Sequence, residues 1–476
     1  MDRMLLNSTS RRLKLLELLN SSSQWVLVNY VAKELGCSPQ TVISDCEHIE
    51  NEWPDYLTID FSKKRGLRFQ MVKNHPISDL YKEIMKEALT FALMEAAFFN
   101  PGMNSAFYHQ KLFISDSSLY RVFRSLKPLL QERGIDFAQT SYTMTGSNEL
   151  QVRYFLILYF LEVNKISDWP FPLDKKQLMK TIEIVKSIYE FKMNVSFSNY
   201  LLYAMAITII REQQGFKIRP SIINKHLNVN PIEPSENLDL FLQENFPEVD
   251  KNSFYLSIFW WNYSWNNAQE KQNVRQYAEQ FMSLLSDSIG IKPSAESNEA
   301  IVTWMMHIYA RHQFYPYEKF ILYDHYHYAT VSVKRTYTFY TQKVAECLDQ
   351  IEKKSRFPWK TTYLNEMLHK ILLLWANLLD SLEQLQPKIS VVILSNIGIE
   401  HSDILSYLLQ KRFQEKITIC FSGDELTLDK TLDYDLCISN YTIANIDEDN
   451  LIVVDDIPSN KNWLDLSAII RSKTHL

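Results

Sequence analysis

The chain has 476 residues and carries 50 Lys and Arg against 56 Asp and Glu, a formal net charge of -6. Its length exceeds what one hydrophobic core usually organises, and its hydrophobic fraction of 46% excludes a largely disordered protein. A negative net charge argues against nucleic-acid binding only if the acidic residues are spread evenly along the chain. Basic and acidic residues number 19 and 18 in residues 1–165, 23 and 24 in 166–387, and 8 and 14 in 388–476. The net acidity therefore lies at the C-terminal end.

Several function classes are excluded by what the sequence lacks. Loops that cradle phosphate need glycine, and the 9 glycines form neither a P-loop nor a dinucleotide-binding motif. The 5 cysteines include no C-x-x-C pair, so we expect neither a disulfide framework nor a zinc ribbon, and a reducing cytoplasm fits. Apolar runs reach about half the ~20 residues that span a bilayer. We therefore expect a cytoplasmic protein without cofactor, metal or membrane partner.

Periodicity separates the chain into regions joined at proline-containing seams. We expect a multidomain, mostly α-helical protein, because short helices and hairpins come first, helices dominate the middle, and strands alternate with helices at the end. The predicted domains are 1–75 (the first module), 76–168 (the second module), 169–286, 287–387 and 388–476.

The first module begins with the pattern of a helix-turn-helix. Apolar residues predict helices over Arg11–Leu19 and Val28–Leu35, and Gly36 suits the left-handed residue that ends a helix. Ser38-Pro39 then opens a third helix with an N-cap and a first-turn proline. Its polar face carries side chains that suit base edges and phosphates. These candidate DNA contacts are Ser38, Gln40, Thr41, Ser44, Asp45 and His48.

A basic hairpin follows this helix. Leu57–Ser62 and Gly66–Val72 read as strands, and their turn carries Lys63, Lys64 and Arg65, with Arg68 close behind. Cations at a hairpin tip can displace counterions from phosphate, as a DNA-binding wing requires. The alternative reading is an ordinary helical hairpin with a solvated polar face.

The string V-A-K-E-L-G-C-S-P-Q-T-V-I-S-D at residues 31–45 resembles the winged helix-turn-helix of DeoR-type regulators. Those proteins follow the pattern L-A-x-x-L-G-V-S-x-x-T-V-x-R-D. Ser44 stands where they usually carry an arginine, so the resemblance implies DNA binding but transfers no sequence preference.

The second module repeats the order of elements. We predict helices over 81–99 and Ser105–Phe113, a third helix capped by Ser115, and a short hairpin at 135–146 without basic residues at its tip. Leu119 and Phe123 point inward on the third helix. Its outward face suits phosphates or guanine edges, although a purely structural helix is an open alternative. The candidate contacts there are Ser117, Ser118, Arg121 and Arg124.

The string L-F-I-S-x-S-x-L-Y-R-x-x-x-x-L at 112–126 and the following helix Gln151–Phe155 resemble the Mga/AtxA family of virulence regulators of Gram-positive bacteria. The resemblance implies that both modules bind double-stranded promoter DNA. It further implies two helical domains similar to phosphotransferase-system regulation domains (PRD), and a C-terminal α/β domain with a parallel sheet similar to the EIIB component of sugar phosphotransferase systems.

Histidines in the middle region are candidates for regulatory phosphorylation by the phosphocarrier protein, on the strength of that resemblance. The first helical domain holds His226, and its segment Tyr200–Arg211 looks like the usual histidine-bearing helix without its histidine. Candidates in the second are His307, His312 and His369, each of which also reads as an ordinary structural histidine. A metal at His325 and His327 is disfavoured, because positions i and i+2 of a helix face apart.

The C-terminal region alternates apolar strands with helices, which predicts a parallel sheet. The loop after its first strand begins with Ser395, where the EIIB resemblance expects a cysteine. A hydroxyl does not replace a thiolate in phosphotransfer, and Glu400 would repel phosphate. The resemblance therefore implies a retained fold, a lost reaction and a role in self-association.

Together these patterns predict a non-enzymatic transcriptional regulator that binds DNA as a homodimer or higher assembly. The alternative is a phosphotransferase-linked sensor or phosphorelay protein whose N-terminal modules bind protein.

Overall fold

The structure is a computed structural model and describes residues 7–20, 25–72, 75–189, 194–222, 235–260, 265–321, 324–385, 387–414, 416–424, 433–443 and 446–474. The chain is mostly helical. It divides into two compact units, Met1–Val274 with Met306–His325 and Arg275–Met305 with Tyr326–Leu476. In the described ranges, no helix is both long and apolar enough to cross a membrane.

The first module has the predicted order of three helices and a hairpin. The elements are α1 (Asn7–Asn20), α2 (Val28–Leu35), α3 (Pro39–Glu52), β1 (Leu57–Ser62) and β2 (Gly66–Met71). The two strands pair antiparallel, with Ser62 opposite Gly66 at the turn. Leu16, Val31 and Ile49, from three different helices, have no exposed surface, so the helices share one core.

A third backbone segment pairs with the hairpin, and the sequence did not predict this pairing. Val26, just before α2, pairs antiparallel with Leu67, and both of their backbone hydrogen bonds measure 2.8 Å. Gly66 has a φ of +96°, and a Cβ at this position would lie 2.0 Å from the carbonyl oxygen of Val26. Only glycine fits where backbones approach so closely. The wing is therefore fixed to the start of α2.

The second module also ends in a hairpin and adds a long central helix. Its elements are α4 (Ile77–Glu87), α5 (Leu89–Phe99), α6 (Ser105–Lys111), α7 (Asp116–Glu132), β3 (Ile135–Ala138), β4 (Thr143–Gly146) and α8 (Glu149–Val163). The predicted single helix over 81–99 is wrong, because Ala88 is extended and separates α4 from α5. The apolar residues keep helical spacing across the break, so periodicity does not reveal it.

Side chains from both modules meet in one polar cluster. The Tyr56 hydroxyl donates to Glu83 over 3.3 Å, and Lys165 Nζ lies 2.8 Å from that hydroxyl and 2.6 Å from Glu83 Oε1. Lys86 Nζ pairs with Asp168 at 2.6 Å. Helix α4 is thus linked both to the first module and to the segment that follows α8.

The middle of the chain is helical, as predicted. It comprises α9 (Lys175–Tyr189), α10 (Val195–Gln213), α11 (Glu236–Asn245), α12 (Lys251–Ile258), α13 (Ala268–Ile289), α14 (Ala295–Phe314), α15 (His325–Thr336), α16 (Thr338–Ser355), α17 (Trp359–Leu374) and α18 (Leu378–Leu385). Helix α13 extends to Ile289, so the predicted boundary between residues 286 and 287 falls near its C-terminal end.

The C-terminal region forms the predicted parallel sheet. It contains β5 (Ile389–Leu394), α19 (Ile399–Phe413), β6 (Ile417–Gly423), β7 (Leu436–Ser439), β8 (Leu451–Val453) and α20 (Asn460–Thr474). The strand order is β6-β5-β7-β8, and every pairing is parallel. Val391, Ile393, Leu405 and Leu466 have no exposed surface in the core between sheet and helices.

Candidate nucleic-acid interface

Helix α3 presents a polar face beside an ordered N-terminus. The Ser38 hydroxyl accepts a hydrogen bond from the Thr41 backbone N–H over 3.1 Å and lies 2.8 Å from the Thr41 hydroxyl. Gln40 and Ser44 are exposed, and His48 is half-buried on the same helix. The cap fixes the start of the helix, so these side chains stand on a preorganised surface.

Asp45 does not belong to that face, and its predicted exposure is wrong. Its side chain is buried, with Arg11 Nε 2.6 Å from Oδ2 and Arg12 Nε 3.0 Å from Oδ1. Asp45 lies three residues after Val42, which places it on the inward stripe of α3. The two arginines neutralise the buried carboxylate, and the pair holds α1 against α3. A negative charge used in this way is a positioning group rather than a DNA contact.

The tip of the wing is a cationic surface. Lys63, Lys64 and Arg65 are all exposed in the turn between β1 and β2. Arg68 is already engaged, because its Nη2 lies 2.6 Å from Asp60 Oδ2 and its guanidinium stands 5.1 Å from the ring centroid of Trp25. The three tip residues are therefore the main source of positive charge on the wing.

Helix α7 presents the corresponding surface of the second module. The Ser115 hydroxyl caps it by accepting from the Ser118 backbone N–H over 3.2 Å. Arg121 and Arg124 are exposed, and Arg121 donates to the Ser118 hydroxyl over 3.1 Å. The Arg124 guanidinium lies 5.8 Å from the ring centroid of Tyr120, within the range of a cation–π interaction. Two cations one helical turn apart face outward.

The two capped helices can be compared position by position. Counting from the caps Ser38 and Ser115, Ser44 of the first module corresponds to Arg121 of the second. The arginine that DeoR-type proteins carry, and that Ser44 replaces in the first module, is thus present in the second module as Arg121.

A cleft of about 410 Å³ lies between the two modules. Arg12 and His48 line it from the first module, and Ser118 and Arg121 line it from the second, with apolar side chains such as Trp53 between them. Residues of both predicted DNA-binding faces therefore border one cavity. Sequence spacing within each module carried no sign of it.

Buried ion pairs connect the second module to helix α10. Arg153 Nη2 lies 2.6 Å from Glu212 Oε1, and Glu149 receives Arg153 Nε at 3.4 Å and Arg211 Nε at 2.7 Å. Arg211 also donates to the carbonyl oxygen of Met144, in β4, over 3.0 Å. All four charged side chains are at most 9% exposed. This cluster ties the hairpin and α8 to helix α10.

The candidate phosphorylation sites lie apart from these surfaces in the chain. His226 is outside the described residues. Burial, together with nearby Lys319 and Arg311, lowers the pKa of His307 to about 4. Burial also lowers the pKa values of His312 and His369. All three imidazoles therefore favour the neutral form and are partly shielded from solvent.

Ser395 is held inside the loop after β5. It is 1% exposed, and its hydroxyl lies 2.7 Å from His401 Nδ1, while His401 Nε2 lies 2.6 Å from the carbonyl oxygen of Asp456. The hydroxyl also accepts from the Ile397 N–H over 3.0 Å. The serine at the predicted cysteine position thus has a structural role in closing the loop. No group of three or more His, Cys, Asp or Glu suited to a metal occurs within the described ranges.

Comparisons with known proteins match the two modules separately. A family model described as the M protein trans-acting positive regulator (MGA) helix-turn-helix domain matches residues 8–65, and one described as the Mga helix-turn-helix domain matches 73–160. A protein of Streptococcus pneumoniae serotype 4, provisionally named a trans-acting regulator, is 24% identical over 95% of this chain and 96% of its own length.

Two relatives from Bacillus anthracis match about half of the chain. The capsule synthesis positive regulator AcpB is 22% identical over 44% of this chain and 43% of its own length. The capsule synthesis positive regulator AcpA is 23% identical over 51% and 50%.

The folds and these matches first define a class of proteins that carry two helix-turn-helix domains at the N-terminus, and the relatives named above are described as regulators. Within that class, the predicted resemblance to the Mga/AtxA-like regulators is confirmed.

Proposed function

We propose that this chain is a transcriptional regulator that binds promoter DNA through both N-terminal modules. The observation that carries the proposal is the pair of N-capped, outward-facing helices α3 and α7, one beside a cationic wing tip and the other bearing two exposed arginines. Phosphate contacts from such cations position a protein on DNA, and polar side chains at a helix N-terminus read base edges.

Near-neutral charge over residues 1–165 makes assembly important for affinity. Each module offers few cations, so a single module should bind DNA weakly, whereas linked modules raise the effective concentration of the second contact. A dimer would present four modules to one promoter region. The C-terminal sheet domain, which we propose to be EIIB-like, and the PRD-like helical domains would set that assembly.

The direct test is DNA binding by the full chain with the wing tip removed. Lys63, Lys64 and Arg65 are changed together to Ala, and fluorescence anisotropy follows the affinity for labelled duplex at several salt concentrations. We expect weaker binding and a salt slope reduced by about 2 to 3, since each phosphate contact contributes about 0.9.

The matched control removes three equally exposed cations from α9. Lys176, Lys180 and Lys186 are exposed on that helix, so their change to Ala subtracts the same charge away from the modules. Equal losses of affinity in the two variants would mean that the wing acts only through the net charge of the protein, which would contradict the proposal.

Regulation by phosphorylation is a separate part of the proposal. We propose that the phosphocarrier protein phosphorylates the second PRD-like domain at His369, His307 or His312, where added negative charge would alter helix packing. Incubation with the phosphocarrier and labelled phosphoenolpyruvate, followed by mass spectrometry, tests this. Labelling that His369→Ala abolishes supports regulation at that residue, whereas rapid labelling in a protein that binds no DNA would favour a phosphorelay instead.

A further inference from the structure

Phe113 is an apolar side chain that the fold leaves in solvent. It is 94% exposed, the highest value among the large hydrophobic side chains of the described residues. It lies in the turn between α6 and α7, two residues before the cap Ser115. Covering a phenyl ring is favourable by about 25 cal/mol for each Å² removed from water, so a partner surface would gain by contacting it.

The backbone conformation at Phe113 is unfavourable for any residue with a side chain. Its φ is +53°, and the bonds from the Ile114 N–H to the His109 carbonyl (3.1 Å) and from the Phe113 N–H to the Gln110 carbonyl (3.4 Å) define a helix-ending turn. Glycine usually occupies this left-handed position, because a side chain there is strained.

The first module shows the ordinary solution. Gly36 has a φ of +64°, stands two residues before its own cap Ser38, and makes the same pair of bonds through the N–H groups of Gly36 and Cys37. A Cβ built on Gly36 would meet no atom of the described residues within 4 Å. The turn therefore directs a side chain into open space, and the second module alone places a phenyl ring there.

Tyr142 shows how such strain is offset elsewhere in the same module. Its φ is +47°, but its ring is 3% exposed and lies 4.4 Å from the ring centroid of Tyr108 and 5.7 Å from that of Phe123. Burial compensates for the backbone at Tyr142. No such burial exists at Phe113, so a partner surface that covers the ring would offset the strain.

We propose that Phe113 contacts DNA, packing on apolar groups at the floor or edge of the major groove where the N-terminus of α7 enters. The inference rests on the proposed function, since it requires α7 to approach DNA through Ser117 and Arg121. The thymine 5-methyl group is the main apolar group that a base pair presents in that groove. Phe113 is then a specificity-determining residue that favours thymine near the contacts of α7.

The test measures two quantities on the same variants, the unfolding temperature and the affinity for DNA. The inference expects the affinity to fall while the unfolding temperature stays equal or rises. Phe113→Gly and Phe113→Asn both remove the ring and suit a left-handed backbone, so their unfolding temperatures should equal or exceed that of the unchanged chain. Their affinity for duplexes selected from a random-sequence library by the unchanged chain should fall about tenfold, or about 1.4 kcal/mol. Phe339→Ala, which removes a ring 52% exposed in α16, should leave affinity unchanged.

Replacing thymine by uracil in the selected duplexes removes the 5-methyl groups. We expect this to weaken binding by the unchanged chain and to have little effect on Phe113→Gly. The inference would be overturned if both Phe113 variants bound DNA with the same affinity as the unchanged chain. Loss of promoter activation with intact DNA binding would also overturn it, because the ring would then contact a protein partner. Lower unfolding temperatures in both variants would make Phe113 a structural residue. Absence of DNA binding by the unchanged chain would instead overturn the proposed function itself.

Discussion

The two N-terminal modules use one motif with opposite distributions of charge. The first places its cations on the wing tip Lys63–Arg65 and carries Ser44 on its outward helix, whereas the second has no cation at its hairpin tip and carries Arg121 and Arg124 on α7. Wing cations suit phosphates, and helix arginines suit guanine edges as well. Under the proposed function, the first module would mainly position the protein on DNA and the second would mainly read bases.

The modules also differ in how their helices are secured. Asp45 of the first module pairs with arginines that are 26% and 22% exposed, within the module itself. The second module depends on two buried pairs, Arg153 of α8 with Glu212 of α10 and Arg211 of α10 with Glu149 of α8. The second module should therefore depend more strongly on the helical region behind it.

The largest expected effect comes from breaking the buried cluster. Arg153→Met leaves Glu212 without its ion-pair partner in a buried site, so the free energy of unfolding should fall by about 3 to 5 kcal/mol. Chemical denaturation measures the loss, and hydrogen exchange should locate it first in α8 and α10. Arg275→Met, which breaks an exposed pair with Glu299, is the control and should cost about 0 to 1 kcal/mol. Similar losses of unfolding free energy in the two variants would contradict the claim that the buried cluster stabilises the protein more than an exposed ion pair does.

A smaller loss is expected from the equivalent support of the first module. Asp45→Asn removes the charge that holds Arg11 and Arg12, and should cost about 1.5 to 3 kcal/mol. Hydrogen exchange should show weaker protection in α1 and α3 while α8 stays protected. Loss of protection spreading equally into the second module would mean that the two modules unfold as one body.

The division between positioning and reading can be tested at Arg121. Arg121→Ala should lower discrimination at one base pair by about 1 to 3 kcal/mol, whereas the wing-tip variant should weaken binding to all sequences alike. Selection from a random-sequence library with each variant measures this. A changed base preference in the wing-tip variant, with none in Arg121→Ala, would reverse the assignment.

The smallest expected effect is a pH dependence. The pKa of His307 is lowered from 6.5 to about 4, so the unfolded chain binds its proton first and stability falls as the pH drops through this interval. The loss should be about 1 kcal/mol at pH 5.5. His307→Asn should flatten the profile of unfolding free energy against pH between 6.5 and 4. An unchanged profile would show that His307 takes up no proton on unfolding in this range.

The helix-turn-helix elements could be predicted because local signals define them. Ser38 and Ser115 are N-caps, Gly36 ends a helix, and the wing strands alternate in polarity, so short-range patterns were sufficient. The break at Ala88 escaped because apolar spacing is continuous across it. Helices and the parallel sheet of the C-terminal region were equally evident from periodicity.

Contacts between distant segments were not predictable in the same way. Asp45 was grouped with the polar face of α3, whereas its spacing of three residues from Val42 already indicated burial. The partners of Arg153 lie 59 residues away at Glu212 and 104 away at Ser257, beyond the reach of any local pattern. The pairing of Val26 with Leu67 likewise depends on tertiary structure.

The central claim, that both modules bind one DNA, is tested most directly by salt-dependent binding of four proteins: the unchanged chain, the wing-tip variant, Arg121→Ala with Arg124→Ala, and the combined variant. The account predicts a reduced salt slope for each single-module variant and the sum of both reductions in the combined one. A slope that neither variant changes would contradict it.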